Sequence, residues 1–277
     1  MIPPFSISQI TTLPASFEED VRAYRAAGAE GIGLWENKLR EGEEEALLAA
    51  LSASGLTSTN AIPAVPSIAA LPMPGPEEPE ERVEAYCAGL RRLAPFEPSA
   101  VVLLTGPGSR DVVVDGLRTI AAEAAALGLT IGLEPYSRHA GEDWTIVHTV
   151  AEAVQLIDEA GVGDSVGVLF DSWHLWDSKL EADLDAHRDR IVGVHICDVR
   201  QPTRSFADRL LPGDGIADVP RILGLLDRAG WDGFYDLEIF SDNGAFGTAL
   251  PDSLWDVPAD ELARRGREAF LACWERR

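Results

Sequence analysis

The sequence predicts an α/β protein built as a single (β/α)8 TIM barrel, one domain over residues 1–277. Three observations carry that expectation. Short runs of β-formers alternate with helical patterns from end to end, without a linker or a break in composition. The alternation repeats eight times, the number that closes a parallel barrel. The last four runs end at or near Glu134, Asp171, His195 and Glu238. No Gly-x-Gly-x-x-Gly opens a helix after the first strand, which disfavours a dinucleotide-binding sheet.

The first strand is expected over 5–10, followed by a helix over 16–27 with Phe17, Val21 and Tyr24 at helical spacing and Gly28 beyond its end. A second strand over 31–35 leads into an acidic, alanine-rich helix over 41–52, ended by Gly55. The third strand covers 56–62. The proline-rich stretch 63–79 reads as a loop, long enough to form a lid or wall over a site, before a helix over 80–93. The fourth strand, 100–105, turns at Gly106-Pro107-Gly108, and its helix over 112–127 is capped by Gly128. A fifth strand over 130–134 precedes a helix over 149–160. The sixth, seventh and eighth strands are expected over 166–170, 191–196 and 234–239, separated by helices near 179–187 and 219–229. A last helix covers 260–274.

Hydrophobic residues make up 46% and charged residues 25% of the chain, which supports a sizeable core and argues against disorder. The 46 acidic and 23 basic residues leave a formal charge of -23, which repels phosphate backbones and anionic lipid headgroups. No nucleic-acid or membrane partner is expected, and most of this charge reads as solvated surface. Cys87, Cys197 and Cys273 are far apart and form no CxxC pair, so neither a disulfide framework nor a zinc knuckle is indicated, and a cytoplasmic location is expected. The amino terminus lacks a basic segment followed by an apolar one, and nowhere do about 18 apolar residues run together. Lysine occurs only at Lys38 and Lys179, neither closing an apolar strand, which disfavours an imine-forming aldolase.

In a barrel of this kind the active site lies at the carboxyl ends of the strands. Glu134, Asp171, His195 and Glu238 are expected at neighbouring strand ends, facing a common point. Three carboxylates converging without a cation repel one another, and a divalent ion removes the conflict. Three oxygen donors and one imidazole make a hard site, so one divalent metal is expected, with Mn²⁺ favoured and Mg²⁺, Co²⁺ or Zn²⁺ as alternatives. An acidic residue at one strand end also serves to cap a helix, so only the set of four is diagnostic.

His174, three residues after Asp171, is expected to contact substrate; His139, His148 and His187 carry no such support. Arg200, Arg204 and Arg209 cluster after the seventh strand, either to orient substrate oxygens or to pair with Asp198 and Asp208. Trp35 is read as a wall of the substrate pocket, as are Trp173, Trp176 and Phe240, with core packing as the alternative for each.

Leu133-Glu134-Pro135, Phe170-Asp171-Ser172-Trp173-His174, Val194-His195-Ile196-Cys197-Asp198, Leu237-Glu238-Ile239 and the Leu211-to-Gly215 turn together resemble the xylose isomerase-like barrel superfamily of sugar isomerases and epimerases, over essentially the whole chain. The resemblance implies that Glu134, Asp171, His195 and Glu238 bind one divalent metal, and that Glu134 and Glu238 are also the acid/base pair. The superfamily includes the endonuclease IV repair enzymes, which use a three-zinc cluster with additional histidines from earlier strands. Here no histidine precedes His139 and the Pro212-Gly-Asp-Gly215 turn has none, so a three-zinc site is not expected. Tagatose-epimerase-like members place an arginine six residues after the histidine ligand, where this chain has Gln201, with Arg200 and Arg204 nearby.

The expected function is a metal-dependent isomerase or epimerase of a ketose or keto-sugar, working by proton abstraction beside a carbonyl through an enediolate. A lyase or dehydratase acting on a keto-sugar or keto-inositol would use the same residues. A non-catalytic sugar-binding or partner subunit is the reading from another class. The expected partner is a small sugar or polyol-derived substrate, with a homo-oligomer left open.

Overall fold

The computed structural model describes residues 2–138 and 142–277; His139 lies outside the described residues. The chain runs β1 (Phe5–Ser8), α1 (Phe17–Ala26), β2 (Gly31–Trp35), α2 (Glu44–Ser54), β3 (Thr57–Ile62), α3 (Pro79–Leu93), β4 (Ala100–Leu103), α4 (Arg110–Leu127) and β5 (Ile131–Leu133). It continues through α5 (Val150–Ala160), β6 (Val166–Asp171), α6 (Ser172–Leu175), α7 (Leu180–His187) and β7 (Ile191–Ile196). A hairpin of β8 (Asp198–Val199) and β9 (Arg209–Leu210) precedes α8 (Val219–Ala229), β10 (Tyr235–Leu237) and α9 (Ala259–Glu275). Among the described residues, eight strands close a parallel barrel in the order β1-β10-β7-β6-β5-β4-β3-β2, as expected of a (β/α)8 fold.

Local chemistry sets the element ends. Ser16 and Glu19 form a reciprocal capping box at the start of α1, and α4 begins at Ser109, whose side chain accepts from the Val112 amide. Asp171 caps α6 by accepting from the Trp173 amide, a four-residue helix too short to leave a periodic signal in the sequence. The first strand stops at Ser8 rather than residue 10 because the Thr11 amide turns back onto the Ser8 carbonyl at 2.9 Å. The two-residue strands β8 and β9 also carry no alternation, and the hairpin they form was not anticipated.

Side-chain parity decides which residues reach the barrel interior. Ile131 and Leu133, Val166, Val168 and Phe170, Val194 and Ile196, and Tyr235 and Leu237 pack in the main core between strands and helices. The alternate positions point into the barrel, so Gly132 and Glu134, Leu169 and Asp171, Gly193 and His195, and Asp236 and Glu238 are inward pairs two residues apart. Leu169 fills the floor beneath the four strand-end residues. A Cβ at Gly132 would stand 3.0 Å from Leu169 Cβ, and one at Gly193 2.6 Å from Leu169 Cδ1, so glycine at both positions makes room for that side chain.

The stretch between β3 and α3 is a pinned wall. Arg82 on α3 is only 2% exposed and donates to the Pro76 carbonyl at 2.7 Å, to the Ser67 hydroxyl at 2.7 and 3.1 Å, and to the Ser67 carbonyl at 3.3 Å. Among the described residues no helix is long and apolar enough to cross a membrane. Arg82→Met removes all of these charge-assisted bonds while keeping most of the side-chain volume. It is expected to lower the unfolding free energy by about 2–4 kcal/mol, read by urea denaturation, and to speed proteolytic cleavage between 63 and 78. Cleavage at the parent rate would show that Arg82 does not hold the loop.

Candidate metal centre

The inward parity brings four strand ends to one point. Glu134 follows β5 directly and its amide donates to the Leu103 carbonyl at 2.9 Å, extending the ladder by one residue; the Glu238 amide does the same to Ile196 at 3.2 Å. His195 lies opposite Asp171 in the β6–β7 register and opposite Asp236 in the β7–β10 register. One donor atom from each of Glu134, Asp171, His195 and Glu238 lies within 4.8 Å of the others, and all four residues are buried.

Arg209, the first residue of β9, enters this cluster from the hairpin. It is 2% exposed, and its Nη1 donates to Asp171 Oδ2 at 2.7 Å and to Glu238 Oε2 at 2.6 Å. Its guanidinium lies 5.2 Å from the Trp173 ring centre and 4.7 Å from that of Phe240, sandwiched by cation–π contact. Arg209 offsets only part of the negative charge of the ionised Glu134, Asp171 and Glu238, and a cation among them would offset more.

The donor set fits such an ion. Glu134 Oε1 and both ring nitrogens of His195 are buried without a well-formed hydrogen bond, His195 Nδ1 lying 3.3 Å from Glu238 Oε1 and 3.9 Å from Glu134 Oε1. Without a cation, protons meet the charge. Burial pushes the Glu134 carboxyl up to about 8, with the Asp171 and Glu238 charges adding and His195 opposing. Burial likewise raises Asp171, against the pull of Arg209. Burial alone would raise Glu238, but the charges of His195 and Arg209 hold it well below the usual carboxylate range. His195 is raised despite burial because Glu238 and Glu134 favour its cation. A metal bound here must therefore displace protons.

The other sequence-derived candidates divide. His174 is 2% exposed, its ring stacked on Tyr136 at 3.5 Å between centres, and its Nδ1 accepts from the Ser137 amide at 3.2 Å. Burial and the Arg209 charge lower its pKa well below the ordinary value, so it is a neutral ring with its proton on Nε2. His174 Nε2 lies 3.4 Å from Arg209 Nη2 and 3.7 Å from Asp171 Oδ2. Arg200 pairs with Asp208 and Asp252, both at 2.9 Å, and Arg204 pairs with the same two at 2.7 and 2.8 Å. Asp198 accepts the Val199, Gly213 and Ala217 amides, and among the described residues it pairs with no arginine. Trp173 lies under Arg209, while Trp176 packs against the main core.

Trp35 and Phe240 line a cavity of about 240 Å³ above the cluster, with Glu134, Arg209 and Glu238 among its other walls. Asp171, His195 and His174 are not among the lining residues. The cavity also takes Met73, Tyr136, Trp144, Phe206 and Phe246, none of which was singled out from sequence. The available signal was an aromatic residue inside a polar loop, as Phe206 is between Ser205 and Asp208, and Phe246 between glycines.

A closed parallel barrel gathers Glu134, Asp171, His195 and Glu238 at successive strand ends, a donor set that could hold a divalent metal ion. The family model for the xylose isomerase-like TIM barrel matches residues 21–273, and the chain belongs to that family. The inosose dehydratase of Erwinia tasmaniensis is 31% identical over 150 residues, which cover 47% of this chain and 48% of that protein. The chain thus aligns with about half the length of that curated relative. The structure of protein SMc04130 from Sinorhizobium meliloti superposes with a TM-score of 0.83 at 25% identity, covering 97% of this chain and 98% of the other. The IolI protein with a bound zinc atom superposes with a TM-score of 0.78 at 18% identity, over 98% and 97% of the two chains, a likeness that shows the shared fold.

Two measurements probe the centre. Mn²⁺ titrated calorimetrically is expected to bind more weakly as the pH is lowered below about 8, where Glu134 and His195 hold protons, with the apparent Kd rising about tenfold per pH unit for each proton displaced. A Kd constant between pH 6 and 8.5 would rule out ligation through these groups. Arg209→Met leaves Asp171 and Glu238 facing each other without a counter-charge, and is expected to cost the metal-free protein about 3–5 kcal/mol. Mn²⁺ should raise the Tm of that variant by more than it raises that of the parent; an equal shift would mean that Arg209 and the ion do not share the same charge.

Proposed function

We propose that the chain is a divalent-metal-dependent enzyme that moves a proton on the carbon beside the carbonyl of a keto-sugar or keto-polyol, as an isomerase or epimerase. One observation carries the reading. Of the four clustered residues, the two glutamates line the cavity while Asp171 and His195 do not. Substrate in that cavity therefore meets Glu134 and Glu238, the residues with a carboxylate able to take and return a proton.

Glu134, Asp171, His195 and Glu238 would hold a divalent ion, which would supply Lewis-acid stabilisation of negative charge on the carbonyl oxygen. Mn²⁺ is favoured by the three carboxylate oxygens and single imidazole. Arg209 holds Glu238 by Oε2, and the other oxygen, Oε1, lies 3.3 Å from His195 Nδ1. One glutamate takes the proton from carbon as the C–H bond breaks and its electron pair moves toward the carbonyl. The other returns a proton. Return to the opposite face of the same carbon gives an epimer; return to the former carbonyl carbon, with the hydroxyl proton of the first carbon passing to the former carbonyl oxygen, gives an aldose–ketose isomer.

A second reading is favoured by the inosose dehydratase relative. If a hydroxyl stands β to the carbonyl, its C–O bond breaks in place of reprotonation, the second glutamate gives it a proton, and water leaves. Cys87, Cys197 and Cys273 are all free and buried, which supports a reducing compartment such as the cytoplasm.

With Mn²⁺ in deuterium oxide, the protein is expected to exchange the proton next to the carbonyl in one or more members of a panel of ketoses, keto-sugars and inososes, with loss of water marking the dehydratase. Glu238→Gln should lower that exchange by about 10²–10⁴-fold. Exchange retained in full by the variant would sink the two-glutamate mechanism. Chelation should lower the Tm and Mn²⁺ should restore it; no shift in either direction would argue against a bound ion.

A further inference from the structure

Above the charged floor the cavity is walled by large apolar side chains. Trp35, Met73, Phe206, Phe240 and Phe246 all line it, and each is half-buried, with part of its surface left uncovered. Phe206 links the walls: its ring centre lies 5.0 Å from Trp144, 5.7 Å from Phe246 and 6.3 Å from Phe240. Among the described residues, apart from the floor, the hydrogen-bonding side chains that line the cavity are Asn37 and the polar edges of Tyr136, Trp35 and Trp144. A chain of free hydroxyl groups passing through this space would give up water for few partners, which is unfavourable.

The walls are also held in place. Arg200 and Arg204 clamp buried Asp208 and with it the hairpin loop bearing Phe206. Buried Asp242 accepts the amides of Gly244, Phe246 and Thr248 at 2.7 to 2.9 Å, fixing the loop after β10. Arg82 pins the stretch that carries Met73. Three loops from different parts of the barrel are each anchored by a buried charged residue, so the apolar surface is preorganised instead of being a collapsed loop interior.

Resting on the proton-abstraction reading, we infer that the substrate is a keto-sugar or keto-polyol bearing an apolar, ring-sized substituent that seats against Phe206, Phe246 and Met73 while the keto end meets Glu134, Arg209 and Glu238. An aryl glycoside of a keto-hexose has this chemistry; a free open-chain ketose does not. The aromatic faces and the thioether match a flat ring better than a hydrated chain.

The test compares the methyl and phenyl glycosides of one keto-hexose with the Mn²⁺-loaded protein, reading deuterium exchange beside the carbonyl. The kcat/KM for the phenyl compound is expected to exceed that for the methyl compound by about tenfold or more. In Phe206→Ala and in Phe246→Ala the phenyl-to-methyl ratio should fall toward one. Equal kcat/KM for the two glycosides, or a ratio unchanged in both variants, overturns the inference and leaves proton abstraction standing. Exchange with neither compound, by a protein that still exchanges a free ketose, also overturns the inference alone. Exchange with no member of the panel overturns proton abstraction and this inference with it.

Discussion

Three carboxylates buried at one point are the constraint on which the rest of the site depends. Glu134, Asp171 and Glu238 converge with His195 where little water can screen them, so the chain must supply positive charge or protons. It supplies one cation itself in Arg209, inserted from a hairpin and sandwiched between Trp173 and Phe240. Negative charge is left over for a bound cation or for protons to meet. The same electrostatic demand accounts for the raised Glu134 and the depressed Glu238, since Arg209 and His195 favour the second carboxylate and burial dominates the first.

Holding such a cluster requires a floor and walls that do not yield. Leu169 packs directly beneath it because Gly132 and Gly193 on the flanking strands leave room, so the ligands stand on a filled interior. The walls follow a different rule. They are loops, and each is tied down by a buried charged group making several hydrogen bonds: Arg82, Asp208 and Asp242. The polar anchoring permits apolar residues such as Phe206 and Phe246 to stay partly uncovered beside the cavity without the loops folding inward.

Much of the fold was legible in the chain because barrel strands and their helices leave strong periodic signals, and glycine or capping residues end most of them. The short elements were not. Neither α6 nor the β8–β9 hairpin is long enough to show a period, yet the hairpin delivers Arg209 to the centre. Sequence also could not rank Arg200, Arg204 and Arg209. All three follow the seventh strand, but two are half-buried and pair with Asp208 and Asp252, and the third is buried against Asp171 and Glu238.

By itself, the sequence determined the barrel class and the gathering of Glu134, Asp171, His195 and Glu238, because strand parity and strand order are written in local residue patterns. Tertiary structure alone decided that only the two glutamates of that set face the cavity, that Arg209 shares their charge, and that aromatic residues from three separate loops wall the space above. Those outcomes depend on how loops distant in sequence pack against one another, and no local periodicity encodes that packing.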